Sequence, residues 1–299
     1  MKTLLLTGAS GFIAGSVLAQ RPSHWRIVAL SRTRPEIDDP RITWSALPPS
    51  LTREDVAAWQ PDAVLHTAAI AAIDHCEAHP DEADAVNVGL TETLLAGAEL
   101  AGARFMFLST DNVFDGEDGG YTEDCPPRPV NHYGVTKARA EAAVLDRCTD
   151  GLVARVSVVM GLPMVGSGNS FLSRMIPTLA SGEPLGVPED EIRSPIDIVT
   201  LGRALWELAD HECRGILHLS GNDWLTRCAM VQEIAAALGY ARDQVYPNDP
   251  TVIPGRAPRP RDASLDNARA RQCLRTPLCG FQEGMGRILR WRDHGTADF

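Results

Sequence analysis

The sequence predicts an α/β fold, a doubly wound parallel sheet joined to a smaller C-terminal subdomain, and three observations carry that prediction. Over the first two-thirds of the 299 residues, short β-rich apolar runs alternate with alanine-rich stretches of helical character, which implies a parallel sheet covered by helices on both faces. After Gly161 the pattern changes, and Gly and Pro are dense through Gly161–Pro195. With 44% apolar and 22% charged residues, the chain has the composition of a soluble globular protein long enough for one large or two fused domains.

Taken in order, Thr3–Leu6, Ile27–Leu30, Ala63–His66, Phe105–Leu108 and Val153–Val158 are the expected strands. Helices are expected between them at Phe12–Gln20, Thr52–Trp59, Asp81–Leu100 and Asn131–Asp146. Thr52 offers an N-cap hydroxyl, and Pro80–Asp81–Glu82 places proline and two acids in a first turn, where they suit the positive end of the helix dipole. Further on, Ile216–Leu219 reads as another strand, Thr226–Leu238 as a capped amphipathic helix and Pro247–Pro260 as a proline-rich loop before an arginine-rich tail. Residues 1–160 are therefore the expected core, rejoined by 192–222, while 161–191 and 223–299 make the smaller unit.

Lysine and arginine total 28 against 39 acids, a net charge of −11, and only two of the cations are lysines. Such a chain lacks the clustered cations that neutralise DNA or RNA over a wide face, so no nucleic-acid partner is expected and any anionic ligand needs a local basic pocket. Seven cysteines, Cys76, Cys125, Cys148, Cys213, Cys228, Cys273 and Cys279, are scattered and include no C-x-x-C pair. They read as reduced thiols of a cytoplasmic protein, with neither a disulfide frame nor a zinc site. The apolar run after Lys2 ends at Thr7, short of the about 7–15 residues of a signal peptide, and no run reaches the roughly 18 apolar residues of a membrane span. Neither a targeting segment nor a membrane span is expected.

Directly after the first strand, TGASGFIAG carries Gly8, Gly11 and Ala14 in a G-x-x-G-x-x-(G/A) pattern. Gly8 permits a tight turn, the missing side chain at Gly11 lets a pyrophosphate approach the backbone, and a small residue at position 14 lets the helix sit close to the strand. A glycine triplet alone marks only a turn. One that follows a strand and opens a helix marks a dinucleotide site of the Rossmann kind, with Ser10, Phe12 and Ile13 completing the contact. Roughly 20 residues on, where an acid would hold the adenosine ribose of NAD, stand Ser31–Arg32–Thr33–Arg34. Arg32 and Arg34 suit a 2′-phosphate, which an acid would repel, so NADP(H) is expected ahead of NAD(H). A solvated arginine pair is the plainer alternative.

Asn131–His132–Tyr133–Gly134–Val135–Thr136–Lys137 opens a helix in which Tyr133 and Lys137, at i and i+4, share one face. A phenol of pKa about 10 is a poor acid at neutral pH unless a fixed cation stabilises its phenolate. Lys137, one turn away, is placed to supply that field and to bond a cofactor ribose. With four tyrosines and two lysines in the chain, this spacing is seldom met by chance.

With these two motifs together, the chain resembles the extended short-chain dehydrogenases/reductases, and within them it is similar to the dTDP-4-dehydrorhamnose reductase group. The likeness runs over nearly the whole length, through TGASGFIAG, LHTAAIAAIDHCEAHPDEADAVNV, FLSTDNVFDG, YTEDCPPRPVNHYGVTKARAE, RVSVVMG, RSPIDI, HLSG and RPRDASLD. The resemblance implies reduction of a ketone on a nucleotide-activated deoxysugar, with Thr110 joining Tyr133 and Lys137 in the catalytic set. The Thr110 hydroxyl would orient the carbonyl, and Tyr133 would deliver the proton as hydride arrives from the nicotinamide. Asp111 follows as in the rhamnose enzymes, while Asn112 stands where 4,6-dehydratases carry a glutamate for proton abstraction, which disfavours dehydration. Both are candidate substrate contacts. Asn87 matches a buried asparagine that supports the lysine through water, though a helix-interior contact fits it as well. Ala68 and Ala69 match a small-residue strand end lying against the cofactor, or simply pack the sheet.

Between Ile253 and Arg275, six arginines, Arg256, Arg259, Arg261, Arg269, Arg271 and Arg275, against two acids, Asp262 and Asp266, leave an excess of four positive charges. The resemblance places the substrate nucleotide in the C-terminal subdomain, so Arg259, Arg261 and, from RSPIDI, Arg193 are candidate ligands. Two departures bear on the substrate: Val158 stands where the rhamnose enzymes carry a tryptophan near the sugar, and Ser45–Ala46–Leu47 replace an adenine-side acid. His75 and His79, with Cys76 and Glu77, have metal-compatible spacing, but Pro80 breaks the helix at once and no metal is expected. A similarity to the regulatory β subunit of methionine adenosyltransferase, carried by SRTRP and the C-terminal RPR, makes a non-catalytic NADP-binding subunit the alternative function, with sugar-nucleotide epimerisation behind it. The expected partner is a small-molecule substrate, and a homodimer is left open.

Overall fold

The computed structural model describes residues 1–166, 170–249 and 254–295. Residues 167–169, within the Gly- and Pro-rich stretch, 250–253, within the expected proline-rich loop and including Ile253, and 296–299 lie outside the described residues.

The strands β1 (Lys2–Thr7), β2 (Trp25–Ser31), β3 (Ile42–Ala46), β4 (Ala63–His66), β5 (Arg104–Thr110), β6 (Gly151–Val156) and β7 (Gly215–Leu219) form one parallel sheet in the order β7-β6-β5-β4-β1-β2-β3. Leu4 and Leu6 face one hydrophobic cluster and Leu5 the other, as the two-residue side-chain period requires. β5 is buried at every residue, which is why it reads as an unbroken apolar run instead of an alternating one. Helices Phe12–Ala19 and Ile198–Asp210 pack together on the Leu4 face, and Arg53–Ala58 and Leu90–Ala101 on the Leu5 face. Because the chain runs from β1 outward through β2 to β3 and then returns to β4 on the other side of β1, a crevice opens at the carboxyl ends of β1 and β4, where sheets of this winding hold ligands. The register Thr7↔Leu30 and Thr7↔His66 sets Gly8, Arg32 and Thr67 along one rim.

Three expected elements take a different form. Asp81–Leu100 is three pieces: Pro80–Asp84, a π turn at Ala85–Gly89, and Leu90–Ala101. Such turns are rare and frequent at functional sites, and this one carries Asn87. β6 stops at Val156, because the Ser157 hydroxyl turns to Asp111 and accepts from the Ser194 amide, after which Val159–Met160 pairs with Ile196–Asp197. Pro247 lies in a short strand, Val245–Asn248, beside Leu185–Pro188, and not in a loop.

A second apolar cluster gathers Leu172, Val187, Val231, Val245, Phe281 and Ile288 from the segments expected in the smaller unit, with Met160 from the end of the expected core. Ala270, Leu274 and Leu278, expected there too, instead pack into the main-sheet cluster. That docking corrects the cysteine expectation. Cys213, just before β7, and Cys273, at the end of helix Ala268–Cys273, form a disulfide across a separation of 60 residues, a proximity no spacing rule reveals. Cys76, Cys125, Cys148, Cys228 and Cys279 are free thiols.

Candidate active site

Gly8 has φ +67°, and a Cβ there would lie 2.9 Å from the Ala68 backbone, so the turn admits only glycine. The Gly11 amide donates to the Gly8 carbonyl at 2.8 Å, Gly11 caps helix Phe12–Ala19, and Ala14 is wholly buried. Ser10 and Gly11 are exposed and Phe12 and Ile13 half-buried, which leaves the first amides of that helix as an anion site at the end of β1. Ala68 abuts the glycine turn from the β4 side, followed by half-buried Ala69. At the end of β2, Arg32 and Arg34 are exposed.

The helix His132–Arg147 begins at an N-cap, Asn131, whose Oδ1 accepts from the Gly134 amide at 2.9 Å. Gly134 leaves no room for a side chain: a Cβ would sit 2.2 Å from the Asn112 carbonyl oxygen, so the helix start lies hard against the segment after β5. This sets the Tyr133 phenol beside Thr110 and Asp111. Burial, and then the negative charge of Asp111, push the phenol above its ordinary value, with the Thr110 hydroxyl opposing them.

Lys137 lies one turn on, but its Nζ reaches inward, donating to the Leu108 carbonyl at 2.7 Å and standing 3.9 Å from the centre of the Phe107 ring. Burial pushes it down to about 7, with Glu141 opposing. The expectation that its charge would lower the Tyr133 pKa is thereby corrected: the field at the phenol comes from Asp111. Since the folded pKa of Lys137 lies below its unfolded value of 10.5, the folded state carries a penalty below about pH 7 that fades as pH rises toward 10.5. Lys137→Met is therefore expected to raise stability by on the order of 1–2 kcal/mol at pH 6 and by nothing at pH 10.5, read by denaturant unfolding at the two pH values. An equal gain at both would reject the buried-charge account.

Asn87 is buried and bonds both ways with Ile70, accepting from its amide at 2.8 Å and donating to its carbonyl at 3.1 Å, and donates to the Thr136 hydroxyl at 3.0 Å. It clamps the loop after β4 to the helix of Tyr133. Asp111 is equally enclosed: its carboxylate accepts from Asn112 Nδ2 at 2.8 Å and Ser157 Oγ at 2.7 Å, with Arg193 Nε at 3.5 Å. Arg193 is buried, with its Nη atoms donating to the carbonyls of Ile192, Arg261 and Pro260 at 2.7, 3.1 and 2.9 Å, so it fastens two segments together. Asn112 Oδ1 is buried without a partner beside Thr110.

The arginine-rich segment is dispersed and does not form one pocket. Arg256, Arg259, Arg269 and Arg275 pair with Glu191, Asp74, Asp124 and Glu207 in turn, and Arg261 is exposed. Asp74 also accepts from the Ala257 amide at 2.8 Å, and Asn131 Nδ2 donates to the Pro258 carbonyl at 3.0 Å, so the 256–259 arm is docked beside Tyr133. His75 pairs with Glu82 at 2.9 Å and stacks on His79, with 4.3 Å between ring centres. Among the described residues, the grouping with metal-compatible proximity is His211, Cys213 and Cys273, two of which are the disulfide.

Sequence reasoning passed over three residues that build this site. His66, at the end of β4, links Thr7 at 2.7 Å and Thr91 at 2.9 Å, and burial, then the Lys137 charge, push its pKa down to about 3, so it is a neutral strut. Ser157 orients Asp111, and Gly134 permits the close approach of the helix. Only Gly134 carried a signal, by its place beside Tyr133.

A family model described as the RmlD substrate binding domain matches residues 1–292. The methionine adenosyltransferase 2 subunit beta of Bos taurus is 29% identical over 306 residues, covering 97% of this chain and 90% of that protein. A hypothetical dTDP-4-dehydrorhamnose reductase from Sulfolobus tokodaii has a structure with TM-score 0.80 and 26% identity, covering 93% of this chain and 97% of the other. The dTDP-4-dehydrorhamnose reductase of Bacillus anthracis, solved in complex with NADP, has TM-score 0.81 over 97% and 99% of the two chains; at 22% identity it speaks to the fold alone. The winding of the sheet and the glycine turn thus agree with a match over almost the full length, and the chain belongs to the RmlD substrate binding domain family of extended short-chain dehydrogenases/reductases.

Proposed function

We propose that this chain is an NADPH-dependent reductase of a keto group on a nucleotide-activated deoxysugar. The observation that carries the reading is the grouping of Tyr133 with Thr110 and Asp111, made possible because the start of the Tyr133 helix packs through Gly134 directly on the segment after β5. The residues present fit the cofactor: the Gly8 cradle excludes any side chain, free amides open the next helix, and two exposed arginines stand at the end of β2 for a 2′-phosphate.

NADPH, when bound, supplies the hydride that reduces the carbonyl carbon. Thr110 orients the carbonyl oxygen, and Tyr133 gives that oxygen its proton, completing the alcohol. The phenol is protonated at neutral pH, the form a reduction needs, while burial and Asp111 make it a weaker acid than a free phenol. Asn112, an amide bonded to Thr110 and Asp111, cannot abstract a proton as an acid would, which supports reduction over dehydration.

Purified protein should oxidise NADPH, followed by absorbance, with at least one member of a panel of dTDP-4-keto sugars. The likeness to the methionine adenosyltransferase subunit favours one rival, a non-catalytic NADP-binding subunit. NADPH binding without turnover across the panel, together with co-purification of another subunit, would decide for that rival.

A further inference from the structure

Three guanidinium groups, Arg193, Arg227 and Arg256, surround Glu191 and Asp111 between the Tyr133 site and the second apolar cluster. Two of the three are committed. Arg193 is bonded to three carbonyls and lies against Asp111, and Arg256 is bonded to Glu191. Arg227 differs. It opens the eleven-residue helix Arg227–Ala237, its amide donates to the Glu191 carbonyl at 2.8 Å, and its guanidinium lies over the Phe171 ring, 4.6 Å from the centre. Its Nε is buried with no hydrogen-bond partner, and its guanidinium pairs with no acid among the described residues. Glu191 and Asp111, the acids that attract it, are already engaged by Arg256 and Arg193.

A buried donor left unpaired costs free energy, and a guanidinium more than a neutral group, so an anion bonded to Arg227 would recover that cost. The Phe171 ring supports the guanidinium from one side, and a guanidinium fork binds two phosphate oxygens together. We propose that Arg227 is the anion ligand of the substrate cleft and holds the diphosphate of the nucleotide-activated substrate. The identity of the substrate rests on the reductase reading above. The site requires only a nucleoside diphosphate, and it moves the anchoring charge from Arg193 and Arg259, whose Nη groups already bond within the protein, to a residue outside the arginine-rich segment.

The test is calorimetric titration of thymidine diphosphate, with thymidine as control, into the full chain. Arg227→Leu should weaken thymidine diphosphate by about 10- to 100-fold and leave thymidine and NADPH within about twofold, while Arg227→Lys recovers only part of the loss because a point charge lacks the fork. Should Arg227→Leu fail to fold by its thermal melt, Phe171→Leu, which frees the fork from its seat, should weaken thymidine diphosphate severalfold. Equal affinity for thymidine diphosphate in wild type and variant, or equal losses for thymidine and its diphosphate, would overturn the assignment. Arg227-dependent diphosphate binding without turnover of any keto sugar would reject the reductase reading and uphold this one, and turnover with Arg227-independent binding would do the reverse.

Discussion

Tyr133→Phe is expected to lower kcat for NADPH oxidation by about 10²- to 10⁴-fold while NADPH affinity stays within about twofold. The substitution removes one oxygen and keeps the ring, so the helix start packed on Asn112 and capped by Asn131 is undisturbed. The lost group is the phenol oxygen that stands beside Thr110 and Asp111. Neither His66 nor Tyr121 is placed to take over: His66, at the end of β4, has both ring nitrogens engaged, and Tyr121 is tied to Asp115. Stopped-flow reduction and a binding titration read the two quantities separately. Full activity in the variant would remove Tyr133 from the proton-donor role, and a parallel collapse of NADPH binding would make its role structural.

Arg32→Asp is expected to move cofactor preference from NADPH toward NADH by about 10- to 100-fold in kcat/KM ratio. A charge-assisted bond to a phosphate contributes about 1.5–3 kcal/mol, and the new carboxylate repels the 2′-phosphate while accepting from a ribose hydroxyl. Arg32 is exposed at the end of β2, so little folding energy is at stake. Because Arg34 stands two residues on, the single variant should keep part of the NADPH preference and the double variant Arg32→Asp, Arg34→Ser should lose the rest. Unchanged preference in both would return the pair to the status of solvated surface charges.

What was legible in the sequence was local. The glycine turn is a three-position pattern whose reason, the approach of Ala68 to Gly8, needs only the neighbouring strand. The Thr52 cap lies three residues from its partner, Asp55. Partners at long range were not legible. Arg259 finds Asp74 at a separation of 185 residues, and Arg193 finds Pro260 at 67. An arginine count therefore predicted a basic pocket where the fold distributes ion pairs. Lys137 shows the same limit at closer range: helix spacing sets the face it shares with Tyr133, but the depth of β5 beneath that face decides that its ammonium turns down to Leu108.

Asn131 has two ends, and they answer to different parts of the molecule. Its carbonyl oxygen holds the first turn under Tyr133, and its amide nitrogen holds the Pro258 carbonyl of the arm that Asp74 also grips. One rigid planar group cannot keep both bonds if the arm swings away. One side chain thus joins the 256–259 arm to the first turn of the Tyr133 helix, and Asn131→Ala would release both at once.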